Sequence, residues 1–156
     1  MPVVLRDVRH STRSREWFAR AQSSWLVEIG ASAEDVAAAA SNAMAMLSRS
    51  DREVILIERD GESVGFAVLQ RCDAPSIHVL LEFYIAPPSR ALGVGASAAR
   101  LLFDRFSGAW EIRSLANDIR AITFWRRVTG RHALGAVEEQ RERGEIVQRF
   151  LSRGAR

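Results

Sequence analysis

The chain has 156 residues, of which 47% are hydrophobic, a length and composition typical of one globular domain with a substantial core. Its basic residues are all arginine, so the isoelectric point near 10.3 reflects a scarcity of titrating groups more than the net charge of +3. This small net charge, with arginines scattered among acidic residues, disfavours nucleic-acid binding.

The first third of the chain predicts one strand and two helices. Residues 3–8 form a short apolar strand pattern. Residues 14–29 carry apolar side chains at helical spacing, and Gly30 ends that pattern. The sequence Ser-Ala-Glu-Asp at 32–35 is typical of a helix start, and the alanine-rich stretch as far as Leu47 continues the second helix.

The remainder of the chain alternates between strand and helix patterns. Strands are predicted at 54–58 and 64–69, around an Asp-Gly hairpin signal, and at 77–85. The later predicted elements are a helix at 94–106, a strand at 110–115, a helix at 119–128 and a hairpin of 136–143 and 146–152. This order indicates one mixed α/β domain, with an antiparallel half and one parallel crossover.

Two features of the whole chain exclude other classes of protein. Cys72 is the only cysteine, which excludes an internal disulfide and a multi-cysteine metal site, and we expect no metal. No apolar run approaches the roughly 18 residues of a membrane span, and the first residues lack the apolar stretch of a secretory signal. We therefore expect a cytoplasmic enzyme or binding domain without a membrane partner.

The most informative segment lies between the predicted strand at 77–85 and the predicted helix at 94–106. It reads Arg90-Ala91-Leu92-Gly93-Val94-Gly95-Ala96. Glycine permits a tight turn and a close approach to a ligand, and the first helical turn offers free N–H groups to an anion. Arg90 adds a forked donor suited to phosphate. The pattern predicts a pyrophosphate site.

Three types of phosphate site compete for this segment. A P-loop requires a lysine, and the chain has none. A dinucleotide fingerprint fits Gly93-x-Gly95-x-x-Ala98, with Asp118 some twenty residues later. Against it, residues 86–92 separate the strand from the first glycine, and an antiparallel hairpin precedes the motif. The third type is Arg-x-x-Gly-x-Gly after a strand and a short loop.

In this third type the chain resembles the GNAT superfamily of acetyl-coenzyme A-dependent N-acetyltransferases. Residues 85–95 (Ile-Ala-Pro-Pro-Ser-Arg-Ala-Leu-Gly-Val-Gly) are similar to the motif V-x-P-x-x-R-G-x-G-x-G/A, and residues 121–125 are similar to A-x-x-F-[YW]. Residues 103–106, 110–112 and 124–127 resemble a bacterial branch of predicted acetyltransferases. The order of elements extends the resemblance over nearly the whole chain.

The resemblance implies a single GNAT-like domain over residues 1–156. Its sheet would be mostly antiparallel, with six to seven strands, a splayed parallel pair and four flanking helices. The activity implied is transfer of an acetyl group from acetyl-CoA to a primary amine. A homodimer, paired through the final hairpin, is the expected assembly.

The resemblance also implies how acetyl-CoA is held. Its pyrophosphate would lie over residues 90–96, and its pantetheine arm would pair with the main chain from Phe83 to Ile85. The thioester would enter the splay, where a main-chain N–H near Ile85 would face its carbonyl oxygen. Phe124 would pack against the pantetheine or the core.

Alternation along residues 76–85 suggests the catalytic side chains. The odd positions are all apolar and predict the core face, whereas His78, Glu82 and Tyr84 would face the substrate unless a bulge intervenes. Glu82 is the candidate general base, the alternative being a carboxylate paired with an arginine. Tyr84 is the candidate acid for the leaving thiolate, or a groove-wall aromatic, and His78 is expected to be a surface residue.

Two departures from the family pattern leave alternatives open. Trp125 stands where the family often has a tyrosine that acts as general acid. Where an asparagine commonly holds the pantetheine amide, the chain has Asp118, with Asn117 one residue earlier. Either could reach the cofactor, or Asp118 could simply cap the following helix.

Two classes of function remain open. The favoured one is an enzyme that acetylates an amine, with a toxin that acetylates charged tRNA as a narrower variant. The alternative is a non-catalytic acyl-CoA sensor or regulatory domain with the same fold. The acceptor is expected to contact the first two helices and the loops at 72–76 and 129–136, which carry no identifying motif.

Overall fold

The computed structural model describes residues 2–153, which contain five α-helices and seven β-strands. The helices are α1 (Thr12–Glu28), α2 (Ala33–Ala37), α3 (Ala39–Leu47), α4 (Val94–Arg105) and α5 (Ile119–His132). The strands are β1 (Val3–Asp7), β2 (Arg52–Arg59), β3 (Glu62–Asp73), β4 (Ser76–Ile85), β5 (Gly108–Leu115), β6 (Glu138–Glu142) and β7 (Glu145–Ser152). None of these helices is long and apolar enough to cross a membrane.

All seven strands form one sheet in the order β1-β2-β3-β4-β5-β7-β6. Every neighbouring pair is antiparallel except β4 and β5. That parallel pair is joined only between residues 78–80 and 110–112, and the strands then separate. The predicted mixed sheet with a splayed parallel pair is therefore confirmed, and residues 82–85 of β4 keep a strand partner on the β3 side alone.

The two faces of the sheet are covered by different helices. One face packs against α4 and α5 around a cluster that includes Leu80, Phe103 and Trp110, all at most 3% exposed. The other face packs against α1 and α3, where Phe18 meets Phe66 edge-on with ring centroids 5.1 Å apart. The sheet is thus the middle layer of three.

The helices number five because the predicted second helix is divided. Residues 33–37 form α2, which ends at Ala38, and α3 then begins without a side-chain cap. The main-chain N–H of Ala38 donates to the carbonyl of Glu34 and thereby closes the last turn of α2. The break has no sequence signal, since neither glycine nor proline lies within it.

The predicted alternation of side chains between the two faces of β4 is wrong for the residues before Leu81 and correct for those that follow it. Leu80 pairs with Leu69 and Glu82 with Val68, so Leu81 is the extra residue of a β-bulge. His78, predicted to face the substrate, instead lies on the α4 side. There its ring is 5.5 Å from that of Phe106 and 5.4 Å from that of Trp110.

Beyond the bulge the predicted faces are found. Phe83 and Ile85 pack with the residues of α4 and α5, whereas Tyr84 belongs to the cluster beneath α1. The extra residue reverses the parity because side chains of a strand alternate with a period of two. Glu82 therefore faces α1, together with Tyr84.

Gly65 of β3 is required by the close approach of β4. A Cβ at this position would overlap the main-chain oxygen of Tyr84 and lie 2.8 Å from Cδ1 of Ile85. We expect Gly65→Ala to lower the free energy of unfolding by about 1–3 kcal/mol, measured by urea titration. Gly130→Ala is the control, because its Cβ would meet nothing within 4 Å. Equal effects of the two substitutions would contradict this account.

Candidate active site

The splay between β4 and β5 opens into a cavity of about 360 Å³. Its walls come from the end of β4, the loop to α4, the first turn of α4, α5 and the end of α1. Most of the predicted cofactor residues line it, namely Phe83, Ile85, Arg90, Ala91, Gly93, Gly95, Ala96, Asp118 and Phe124, and so does Tyr84.

The loop before α4 has the backbone shape of an anion site. Ala91 and Gly93 both have left-handed conformations, with φ of 63° and 76°. Gly93 is also the N-cap of α4 and makes no side-chain capping bond, so the N–H groups of residues 94–96 have no helical acceptor. These donors and the positive end of the helix dipole favour a bound anion.

Gly95 leaves the space that a ligand on this turn requires. A Cβ at Gly95 would lie 3.3 Å from the ring of Phe124, which is tighter than ordinary packing. A side chain here would also extend into the cavity that Gly95 lines. The residues present therefore fit a phosphate-bearing ligand that approaches the main chain closely.

Arg90 fastens the loop to the strand and to α1. Its Nε donates to the carbonyl oxygen of Ile85 at 2.7 Å, and its Nη2 forms an ion pair with Glu28 at 2.6 Å. The guanidinium carbon also lies 5.6 Å from the centre of the Tyr84 ring. The predicted phosphate donor thus has internal partners, and Glu28 is one that the sequence did not indicate.

Two further arginines that the sequence analysis missed line the same cavity. Arg120 and Arg127 lie on α5 on either side of Phe124, and the guanidinium of Arg127 is 5.9 Å from that ring centre. The spacing 120, 124 and 127 places all three on one helix face, which is the signal that could have found them. Their positive charges would suit a polyphosphate in this cavity.

Three predicted cofactor residues do not line the cavity. Leu92 is 58% exposed, Val94 is buried among core residues of β2, β4 and α4, and Asn117 is exposed. Asp118 does line it, and its Oδ1 also accepts from the N–H of Ala121 at 3.1 Å as the cap of α5. Of the two candidates, Asp118 is therefore the one at the cavity.

A second cavity of about 210 Å³ adjoins the first through the splay. The two share Trp25, Ile29, Phe83, Asp118, Ala121 and Trp125 as lining residues. Glu82 lines only the second cavity. A ligand in the first cavity and one in the second would consequently meet beside β4.

The carboxyl group of Glu82 is hydrogen-bonded by the side-chain amide of Gln22. Both of its oxygens accept from Nε2 of Gln22, each at 3.1 Å, so its hydrogen-bond partner is not the arginine of the alternative interpretation. Burial raises the pKa of Glu82 to about 7, and the Gln22 hydrogen bond and the charge of Arg52 oppose that rise. Gln22 is 3% exposed, and its Oε1 has no hydrogen-bond partner among the described residues.

The two aromatic candidates differ in what they can donate. Tyr84 is 6% exposed, and burial raises the pKa of its phenol, with Glu28 adding to the rise, so the group keeps its proton at neutral pH. Trp125 is 5% exposed, and its ring lies 5.0 Å from that of Phe83. An indole has no proton to release at such pH, so Trp125 contributes packing at the junction of the cavities.

The chain resembles known proteins both in sequence pattern and in fold. The sequence model of the acetyltransferase (GNAT) family matches residues 11–130, and no curated protein matches the chain in sequence. An acetyltransferase structure from Thermus thermophilus superposes with a TM-score of 0.72 at 12% identity, covering 96% of both chains.

Two further solved structures are similar. The PaiA N-acetyltransferase of Thermoplasma acidophilum, in complex with coenzyme A, has a TM-score of 0.65 at 13% identity and covers 97% of this chain and 99% of its own. The ribosomal-protein-S18-alanine N-acetyltransferase of Escherichia coli has a TM-score of 0.66 at 12% identity, covering 99% and 96%. At these identities the likeness shows the fold. Because the family model spans most of its length, the chain belongs to the GNAT acetyltransferase family.

Proposed function

We propose that the protein is an acetyl-CoA-dependent N-acetyltransferase that transfers an acetyl group to a primary amine. The observation that carries this proposal is the meeting of two cavities at the splay of β4 and β5, an anion-binding turn in one and the Glu82 carboxyl in the other. Membership of the family and the coenzyme A complex of the PaiA N-acetyltransferase support it.

Each part of acetyl-CoA has a matching region in the first cavity or in the splay beside it. Its pyrophosphate would accept from the N–H groups of residues 94–96, with Arg120 and Arg127 beside it. The pantetheine arm would extend along the free edge of β4 at residues 83–85, over the ring of Phe124. The thioester would then lie in the splay, with the N–H of Ile85 as the candidate donor to its carbonyl oxygen.

In the transfer, Glu82 acts as the base, directly or through a water molecule. It takes one proton from the ammonium form of the acceptor, and the neutral nitrogen attacks the thioester carbonyl carbon. The C–N bond forms, the C–S bond breaks, and the second nitrogen proton is lost as the amide forms. The leaving thiolate takes a proton from Tyr84 or from water, so the products are the acetamide, the free thiol of coenzyme A and one proton.

A non-catalytic acyl-CoA sensor is the second candidate. The observation that favours it is the buried indole of Trp125, which replaces the tyrosine acid expected of the family motif. A sensor would bind acetyl-CoA without releasing its thiol in the presence of any amine. The raised pKa of Glu82 favours the enzyme, because a base is most effective when its pKa lies near the working pH.

A cytoplasmic location and a homodimer belong to the same proposal. β6 is at the edge of the sheet, and most of its residues are exposed. An edge strand presents unpaired main-chain groups that a second copy could meet. Light scattering of the purified protein would measure the assembly directly.

Blocking the turn at Gly95 should abolish cofactor binding. In Gly95→Glu, a carboxylate would extend into the cavity beside Phe124 and repel the pyrophosphate. We expect acetyl-CoA affinity, measured by calorimetry, to fall at least about tenfold. Gly130→Glu is the matched control, since that helical glycine meets nothing within 4 Å and lines neither cavity. An equal effect of both variants, or none of Gly95→Glu, would contradict the assigned site.

Replacing Glu82, the proposed base, should lower the activity and raise the stability of the protein above neutral pH. We expect Glu82→Gln to lower kcat for amine-dependent thiol release at least about 100-fold. Because the folded-state pKa of about 7 lies above the ordinary value near 4.3, the wild type loses stability as pH rises between them. Glu82→Gln should therefore raise the free energy of unfolding by about 1–3 kcal/mol at pH 8 and leave it little changed at pH 4. Unchanged kcat would contradict the role of Glu82.

The amide of Gln22 should set the pH at which Glu82 works. Its hydrogen bond lowers the pKa of Glu82, so Gln22→Leu should move the rising limb of kcat/KM to higher pH by about half a unit or more. Gln148→Leu is the control, because Gln148 is also a buried glutamine but bonds Glu139. If the rising limb of kcat/KM does not move in Gln22→Leu, a group other than Glu82 controls that limb.

A further inference from the structure

We propose that the acceptor is a small primary amine with a single positive charge and an apolar body, and that it binds in the second cavity. This inference rests on the proposed function, because it names the substrate class of the same site. Three properties of the cavity carry it: an apolar rim, one carboxyl group that is neither ion-paired nor the cap of a helix, and a small volume.

The rim is built from large apolar side chains that face solvent. Ile29, Leu81 and Leu115 line the cavity and are 38%, 37% and 45% exposed. The indole of Trp25 lines the wall that both cavities share. Apolar side chains grouped around a cavity are typical of a binding site rather than of an ordinary surface. They would contact the hydrocarbon part of an amine.

The charges in the cavity match one ammonium group. Glu145 is paired with Arg113 at 3.4 Å, and Arg113 also bonds Glu111 at 2.8 Å. Asp118 is occupied as the cap of α5. Of the carboxyl groups that line this cavity, Glu82 is the one that neither forms an ion pair nor caps a helix. It lies next to the splay, where the acceptor nitrogen must meet the thioester.

The same contacts disfavour two other classes of amine. Among the described residues the cavity has one arginine, Arg113, and its two carboxylate partners leave no free cation there for the carboxylate of an amino acid. A polyamine would require a second free carboxylate, whereas Glu145 is paired with Arg113 and Asp118 caps α5. Either class would bury an uncompensated charge.

The size of the cavity favours a small molecule. Its volume of about 210 Å³ is below the roughly 300–1,000 Å³ of drug-sized pockets. Of the segments expected to meet the acceptor, only the first helix lines it, while the second helix and the loops at 72–76 and 129–136 do not. The cavity therefore lacks the extended walls that would follow a peptide.

A panel of three amines tests the class directly. Thiol release from acetyl-CoA is measured with 2-phenylethylamine, with phenylalanine, which adds a carboxylate to the same body, and with spermidine, which adds positive charges. We expect kcat/KM for 2-phenylethylamine to exceed both others at least about tenfold, the usual effect of one unpaired buried charge.

A charge placed on the rim should change this preference. Leu81→Asp adds a carboxylate without an arginine partner to the rim of the second cavity alone. It should lower kcat/KM for 2-phenylethylamine about tenfold and raise that for spermidine. Leu151→Asp is the control, because Leu151 is also an exposed strand leucine and lines neither cavity. Equal effects of both variants would overturn the assignment of the rim.

The outcomes separate this inference from the function on which it rests. If acetyl-CoA binds and phenylalanine or spermidine is the better acceptor, the amine class is overturned and the acetyltransferase stands. If acetyl-CoA binds and none of the three amines releases thiol, the class is also overturned, and the sensor is favoured. If the folded protein does not bind acetyl-CoA, the proposed function fails and this inference fails with it.

Discussion

The bulge at Leu81 is the constraint on which both halves of the site depend. A bulge adds one residue to a strand and increases its local twist, and beyond this one β4 no longer pairs with β5. The same residue reverses the parity of the strand, so Phe83 and Ile85 face α4 and α5 while Glu82 faces α1. The insertion lies where the splay begins, and it sets which face of the sheet each side chain of residues 82–85 occupies.

The loop that follows β4 is held by contacts from outside the loop. Arg90 links the carbonyl of Ile85 to Glu28 of α1, so the anion-binding turn is fixed to both the strand and the helix that bound the cavity. Main-chain donors bind an anion well only when their positions are set in advance, because ordering a flexible loop costs conformational entropy. The arginine of the motif is therefore a structural part of the turn in this chain, and Arg120 and Arg127 are the arginines of α5 at the cavity.

Glu82, the proposed base, is a group that costs stability in the folded protein. A buried carboxyl with a pKa near 7 destabilises the folded state once it ionises, and the amide of Gln22 offsets only part of this cost. The Oε1 of Gln22, which has no hydrogen-bond partner within residues 2–153, adds a second unfavourable contribution in the same place. Such compromises are typical of active sites and uncommon in an ordinary core.

The sequence alone determined the order of elements, the glycine turn and the family, because these depend on local periodicity and on residue types at fixed spacing. The sequence also contains the helical spacing of residues 120, 124 and 127, which could have predicted that these three side chains share one face of α5. Only the tertiary structure decided the bulge at Leu81, the partners of Glu82 and Arg90, and the division of the second helix. These depend on contacts between residues up to 62 positions apart, such as Glu28 with Arg90, and no local pattern encodes such contacts because they arise when the sheet and α1 pack together.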